Sequence, residues 1–413
     1  MTVSDANLQN LNRPKMARKS YGVGLVTNLY FAFLILFVVF GSVLRSGGGA
    51  LYVLFIVISA VYVCMNIAGG RAGYFSRPPF KILFFFSVFG LFYALLSYVN
   101  VLPDAWTTLY RRAAIPQQAI FVLAIPVFVL ANYTMFQRIL ESRFGYRYFY
   151  ALLVSYAGYR AVTYASGQGF DLFFNTLSNS IFPVYVAIGH IVFVRFRRTT
   201  RAAATIVGGL MVPFTSFLQN SLGGIYLAAI GFLGFPRMVL YGLVFSLVGV
   251  SILGQWYFDA IWKLSPNTGV RLWMMRAGID GFIQSYGLGV GFGKESLKTI
   301  FPLLGRTFLS PTDTSVNFIM VGNHNALVQL LFRMGLIGFL LFLSFLLKCL
   351  PSDVANRGLR NSAFYSYGMI FILLLSNPSI ESAAYHVGLA VAIAYVLACK
   401  SASIAIKRRG AHL

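Results

Sequence analysis

Long apolar runs, broken by short polar or basic intervals, occupy most of this chain. They place helices at about 21–44, 51–68, 80–102, 117–136, 147–166, 181–196, 202–220, 222–236, 238–255, 324–348, 362–378 and 384–400. Crossing a hydrocarbon core takes roughly 20 apolar residues per helix, so most of these runs can reach across a membrane. None alternates apolar and polar positions as a lipid-facing barrel strand does, which argues against a β-barrel. The pattern therefore predicts an all-α, polytopic membrane protein with about 12 transmembrane helices.

One interval breaks the pattern. Residues 256–323 are polar, and within them Leu272, Met275, Ile279, Phe282, Ile283 and Tyr286 recur at three- and four-residue spacing. That spacing predicts an amphipathic helix lying on the bundle or at the membrane surface. The run Gly287-Leu288-Gly289-Val290-Gly291-Phe292-Gly293 should end it, because alternate glycines do not hold a helix. The expected organisation is a tail at 1–20, nine spans in 21–255, one large loop module at 256–323, three spans in 324–400 and a second tail at 401–413. Within the nine, the 222–236 segment is short and glycine-rich, with Asn220-Ser221 as the break before it. Irregular backbone at membrane depth has to be buried in protein or line a wet cavity, so a short or broken helix facing such a cavity is expected there.

Composition sharpens this picture. Hydrophobic residues make up 58% and charged residues 10%, where a soluble domain carries about a quarter charged. The net charge of +23 follows topology rather than one soluble face, which argues against nucleic acid. With the N-terminus in the cytoplasm, about two-thirds of the 33 Lys and Arg fall on the cytoplasmic side, among them Arg77, Arg138, Arg201, Arg237, Lys348, Arg357 and Lys400. This sidedness predicts cytoplasmic N- and C-termini and a periplasmic 256–323 module, with anionic lipid head groups as partners of the basic side. No cleavable signal peptide is apparent, since a polar tail precedes the first apolar run. Cys64, Cys349 and Cys399 have no CxxC spacing and read as small hydrophobes.

Four histidines and a few arginines could carry chemistry. His324 follows Gly322-Asn323 at the outer start of a span, where it could accept a proton from an attacking hydroxyl. A cap-adjacent histidine bonded to nearby backbone is the alternative. His190 sits mid-span as either a functional group or a structural hydrogen bond, and His386 and His412 look peripheral. A guanidinium binds phosphate in bidentate fashion, which makes Arg271 and Arg276 anion-binding candidates. Arg276 lies four residues before Asp280, so a surface ion pair competes with function there. Arg160 and Arg333 lie in or near spans and should face the bundle interior. Arg333, nine residues after His324, lies on the opposite side of its helix and reads as structural. There is no P-loop, no HExxH and no Asp-x-Asp pair, so a nucleotide or metal-bridged sugar donor has no handle.

Taken together, Thr268-Gly269-Val270-Arg271, the Gly289-to-Gly293 run, His324-Asn325-Ala326-Leu327 and Gly335-Leu336-Ile337-Gly338 resemble the O-antigen polymerase and O-antigen ligase family of bacterial inner-membrane glycosyltransferases. The spacings His324 to Gly335 and Arg276 to Gly287 are similar to that family's histidine–glycine and arginine–glycine patterns. The resemblance covers roughly residues 205–345. It implies a GT-C-like fold and transfer of a glycan from undecaprenyl diphosphate to an acceptor sugar on the periplasmic face. It further implies His324 as base, Arg271 on the diphosphate, and Arg276 and Asn325 as substrate-binding residues, with no metal and no cofactor. Ser221-Leu222-Gly223 stands where the family has Ser-Arg-Gly, and Arg160 is the candidate to replace that arginine. Val270 is an insertion between Gly269 and Arg271. The implied activity is polymerisation of lipid-linked repeat units, with a chain-length regulator as a further partner. A ligase joining the polymer to lipid A core and, more remotely, a flippase are the alternatives.

Overall fold

Segments this apolar must satisfy their own backbone groups, and they do so as helices. The structure is a computed structural model that describes residues 24–40, 49–69, 77–103, 108–110, 112–165, 182–196, 199–211, 218–264, 266–296, 325–376 and 383–410. The first helices are α1 (Leu25–Phe40), α2 (Gly49–Ala68), α3 (Pro78–Val99), α4 (Ile115–Ala119), α5 (Phe121–Glu141) and α6 (Tyr146–Ala165). Next come α7 (Phe182–His190), which runs on into a π-helical turn at Ile191–Arg195, then α8 (Thr200–Met211), α9 (Leu218–Leu233) and α10 (Pro236–Trp256). Last are α11 (Phe258–Leu264), α12 (Pro266–Gln284), α13 (Ala326–Cys349), α14 (Arg357–Ser376) and α15 (Ala383–Gly410). A short antiparallel ribbon pairs β1 (Thr108–Tyr110) with β2 (Lys294–Ser296), setting Tyr110 opposite Lys294.

Helices occupy at least part of every expected apolar segment, although in the 202–220 segment α8 ends at Met211 and residues 218–220 already belong to α9. Among the described residues, five helical segments are long and apolar enough to cross a membrane: Pro78–Val99, Arg112–Glu141, Pro236–Trp256, Ala326–Cys349 and His386–Ser403. Their outer faces carry apolar side chains such as Phe84, Phe85, Phe245 and Val250, all exposed. An apolar belt of that kind is stable against hydrocarbon and not against water.

The centre of the bundle is made by α5 and α15. Small side chains at Ala124 and Ala131 of α5 and Ala390, Ala394 and Ala398 of α15 are fully buried, which lets the two backbones approach. Pro126 sits inside α5, where its missing N–H removes the bond to the Val122 carbonyl one turn earlier. Ser87 of α3 supplies the replacement, its hydroxyl lying 3.0 Å from the Val122 carbonyl oxygen. The helices can meet so closely there because Gly90 has no side chain: a Cβ would lie 2.4 Å from Val122 Cγ1.

Basic side chains collect at one end of the bundle and are tied into it. Arg77 donates to the hydroxyls of Tyr133 and Ser401, and Arg138 donates to Thr27 and Asn66. Lys400 donates to the Lys348 and Leu350 carbonyls, both at 2.9 Å.

Three expectations need correction. Asn220 and Ser221 do not break the chain but lie in the first turn of α9. Short polar residues suit that turn, whose N–H groups have no intrahelical partner. The glycines of α9 serve close packing: a Cβ on Gly231 would lie 2.2 Å from the Ala204 Cβ of α8, and Gly223 backs onto Met369. His386 is not peripheral but buried, hydrogen-bonded to the Tyr52 hydroxyl, because α15 crosses the core at that point. Finally, α15 runs to Gly410, well past the expected end at 400.

Candidate functional site

At the other end of the bundle, α12 lies along the first half of α13. Asn325 caps α13, its Oδ1 accepting from the N–H groups of Leu327 and Val328 at 3.1 Å each. Its Nδ2 lies 3.7 Å from the Met275 sulfur of α12. Two turns further along, Gly281 of α12 sits against Phe332 of α13, where a Cβ would approach the ring to 2.5 Å. Both contacts advance in the same direction, so the two helices run parallel. Arg271, four residues before Met275, therefore stands about 6 Å beyond the level of the Asn325 cap. It is half-buried there.

A second feature locks this register. Helix α13 is kinked at Gly335, whose φ of 65° and ψ of −166° are open only to glycine without strain. The kink frees the carbonyls of Phe332 and Arg333 and the N–H of Leu336. The glycine run takes up all three: Val290 N–H donates to Phe332 O at 2.7 Å, Gly291 N–H to Arg333 O at 3.0 Å, and Leu336 N–H to Gly287 O at 2.9 Å. The two glycine-bearing strands of backbone touch directly. A Cβ on Gly289 (φ 80°) would lie 2.4 Å from Gly335 N, and a Cβ on Gly335 would lie 2.2 Å from Leu288 O.

The remaining N–H groups of the run are also committed. Gly289 N–H donates to Ser285 Oγ (2.9 Å), Phe292 N–H to Ser97 Oγ (2.8 Å) and Gly293 N–H to Gln118 Oε1 (2.6 Å). Every amide from 289 to 293 thus has a protein partner, so the run works as a latch and leaves no row of donors to cradle a phosphate. Tyr93 donates to Leu288 O, and buried Lys294 donates from Nζ to Leu102 O at 2.7 Å.

Arg333 completes the latch. It is only 1% exposed and donates to the carbonyls of Gly291 and Lys294, with its guanidinium over the Phe332 ring. The interior position and structural role expected from the sequence both hold. His190 likewise takes its structural alternative: buried, it bonds Tyr395 through Nδ1 at 2.8 Å and stacks on Phe149 at 3.9 Å between ring centroids.

The candidate residues are distributed unevenly. Arg271 and Asn325 are brought to the same end of the α12–α13 pair. Arg276 is exposed, and among the described residues no ion pair joins it to Asp280. Five residues separate it from Arg271, a turn of about 140° around the helix, so the two do not share a face. His324, His412 and the side chain of Arg160 lie outside the described residues. Sequence reasoning missed Tyr93, Ser97 and Gln118 as the seat of the latch. Their only signal is that polar side chains stand at the ends of apolar segments next to a glycine run that needs acceptors. No protein-family model matches the chain, and no curated protein matches its sequence.

Proposed function

We propose that this chain is a membrane glycosyltransferase of the O-antigen polymerase type, with twelve spans, a GT-C-like fold, both termini in the cytoplasm and the site on the periplasmic face of a bacterial inner membrane. It takes a glycan from undecaprenyl diphosphate and joins it to an acceptor sugar hydroxyl. The observation that carries this reading is the register of α12 on α13. It sets a half-buried arginine, Arg271, just beyond the N-terminus of a long apolar helix, where the dipole also favours an anion.

The reaction needs few groups. His324 takes the proton from the acceptor hydroxyl as that oxygen bonds to the anomeric carbon of the donor sugar. The bond from that carbon to the diphosphate oxygen breaks, and the electron pair leaves with the diphosphate. A lipid diphosphate is a stable anion that needs no proton but does need compensating charge, which Arg271 supplies, with Arg160 as the second candidate, while Arg276, on another face of α12, contacts the substrate away from the diphosphate. Asn325 keeps its Nδ2 for substrate, since a thioether sulfur is a weak acceptor that a sugar oxygen can displace. No metal or cofactor is required by these steps.

The test is transfer by the purified protein with a lipid-linked repeat unit. His324→Ala should lose about 10²–10⁴-fold in rate, the usual cost of removing a general base, while still binding the donor. Undiminished transfer would remove the base, and inhibition by EDTA that a divalent cation reverses would remove the metal-free route. Deleting the gene separates the related activities. Single-repeat caps on lipopolysaccharide mark a polymerase, and bare core with accumulated lipid-linked polymer marks a ligase. Absence of any transfer by the purified chain leaves the flippase.

A further inference from the structure

A cavity of about 760 Å³ opens between α8, α9 and α14, at the opposite end of α13 from the Asn325 cap. Its lining includes Thr200, Arg201, Gly231, Gly234, Arg357 and Asn361, and no carboxylate occurs among the described lining residues. Both arginines are exposed. The N-termini of α8 and α14 open onto the cavity at Thr200 and Arg357, adding the positive ends of two helix dipoles. This is a strongly anion-attracting space.

A second observation narrows the ligand. Asn361 is 5% exposed, lines the cavity, and its Oδ1 has no hydrogen-bond partner. A buried acceptor without a donor costs about 1–3 kcal/mol, and a phosphodiester group, all acceptor, would not relieve it by itself. What satisfies arginines and Asn361 together is a phosphate ester whose alcohol part carries its own hydroxyl donor. The flanks of the cavity choose the source. Phe232, Leu233, Phe235 and Met238, which neighbour the lining glycines, are all more than half exposed, and that surface suits acyl chains.

We propose that this cavity holds the glycerophosphate head group of an anionic phospholipid, with Arg201 and Arg357 on the phosphate and Asn361 accepting from a head-group hydroxyl. The inference rests on the membrane character of the chain and not on glycosyl transfer, so either can fail without the other.

Native mass spectrometry of the full chain in detergent tests it, using phosphatidylglycerol, phosphatidylmethanol (the same charge with no hydroxyl), phosphatidylcholine and free glycerol phosphate as probes. Phosphatidylglycerol should bind at least about tenfold more tightly than the other two lipids, as expected for charge-assisted bonds plus one satisfied acceptor. R201Q/R357Q, at exposed positions, should lose that binding by about tenfold or more. Asn361→Leu should abolish the preference over phosphatidylmethanol while keeping the preference over phosphatidylcholine. Competition by free glycerol phosphate in the absence of lipid binding would keep the recognised chemistry and assign it to a soluble ester. Unchanged phosphatidylglycerol binding in R201Q/R357Q, or equal binding of phosphatidylglycerol and phosphatidylmethanol by the unaltered protein, would overturn the proposal.

Discussion

Alanine at Gly289 attacks the latch at its tightest point. An L-residue held at φ 80° costs about 1–2 kcal/mol in the left-handed region. The new Cβ would also lie 2.4 Å from Gly335 N and 3.0 Å from Arg333 O, and both are backbone atoms that cannot rotate away. The loop must back off by roughly 1 Å to restore van der Waals contact. That movement stretches the bonds from Val290 N–H to Phe332 O and from Gly291 N–H to Arg333 O, now 2.7 and 3.0 Å. Leaving such buried groups poorly paired costs about 1–3 kcal/mol each, so the total is about 3–8 kcal/mol. The control is Gly242→Ala in α10, where a Cβ meets nothing within 4 Å and a helical glycine gives way to a better helix former. Thermal unfolding in detergent, followed by size-exclusion chromatography, should show Gly289→Ala about 3–9 °C below wild type and Gly242→Ala at or slightly above it. Gly335→Ala should cost a similar amount, and the double variant less than the sum, because both substitutions open the same contact. A Gly289→Ala protein as heat-stable as wild type would refute the latch.

Three further outcomes are expected. Ser87→Ala should destabilise by about 1–2 kcal/mol in the same assay, and adding Pro126→Ala should recover part of the loss by returning an N–H to the Val122 carbonyl. Arg271→Lys should lower transfer markedly because a point charge does not reproduce the guanidinium fork, whereas the exposed Arg276→Ala should matter less; the reverse order, measured on lipid-linked substrate, would move the donor contact to Arg276. A cysteine at Ser310 should react with an impermeant thiol reagent from the periplasm and one at exposed Asp353 should not, and the opposite pattern would invert the proposed orientation.

The helical segments were legible because apolar length alone dictates them, and the stop after Gln284 because four alternate glycines cannot stay helical. The interior position of Arg333 was legible because a charge inside a span is costly unless it faces the bundle. The kink at Gly335 was not legible: a single glycine in an apolar helix is tolerated, and only a second backbone pressing on it, at Leu288 and Gly289, makes the bend favourable. Asn220-Ser221 misled for the opposite reason, since residues that end one helix also begin the next. For the candidate site, the residue types and motifs nominate Arg271 and Asn325 as candidates, but their relative register depends on Met275 and Gly281 meeting α13. The core position of His386 depends likewise on Tyr52, 334 residues away.

The latch also sets a timetable for biogenesis. Its halves, Tyr93 with Leu288 and Ser97 with Phe292, are each separated by 195 residues. At a synthesis rate of ~5–20 residues per second, the first half waits roughly 10–40 s after emerging from the ribosome before the second exists. Throughout that interval the hydroxyls of Tyr93 and Ser97 and the Gln118 amide lack their final partners. Until then the early helices have to keep an arrangement open enough to admit the glycine run. Release of the nascent chain before α13 arrives would strand them.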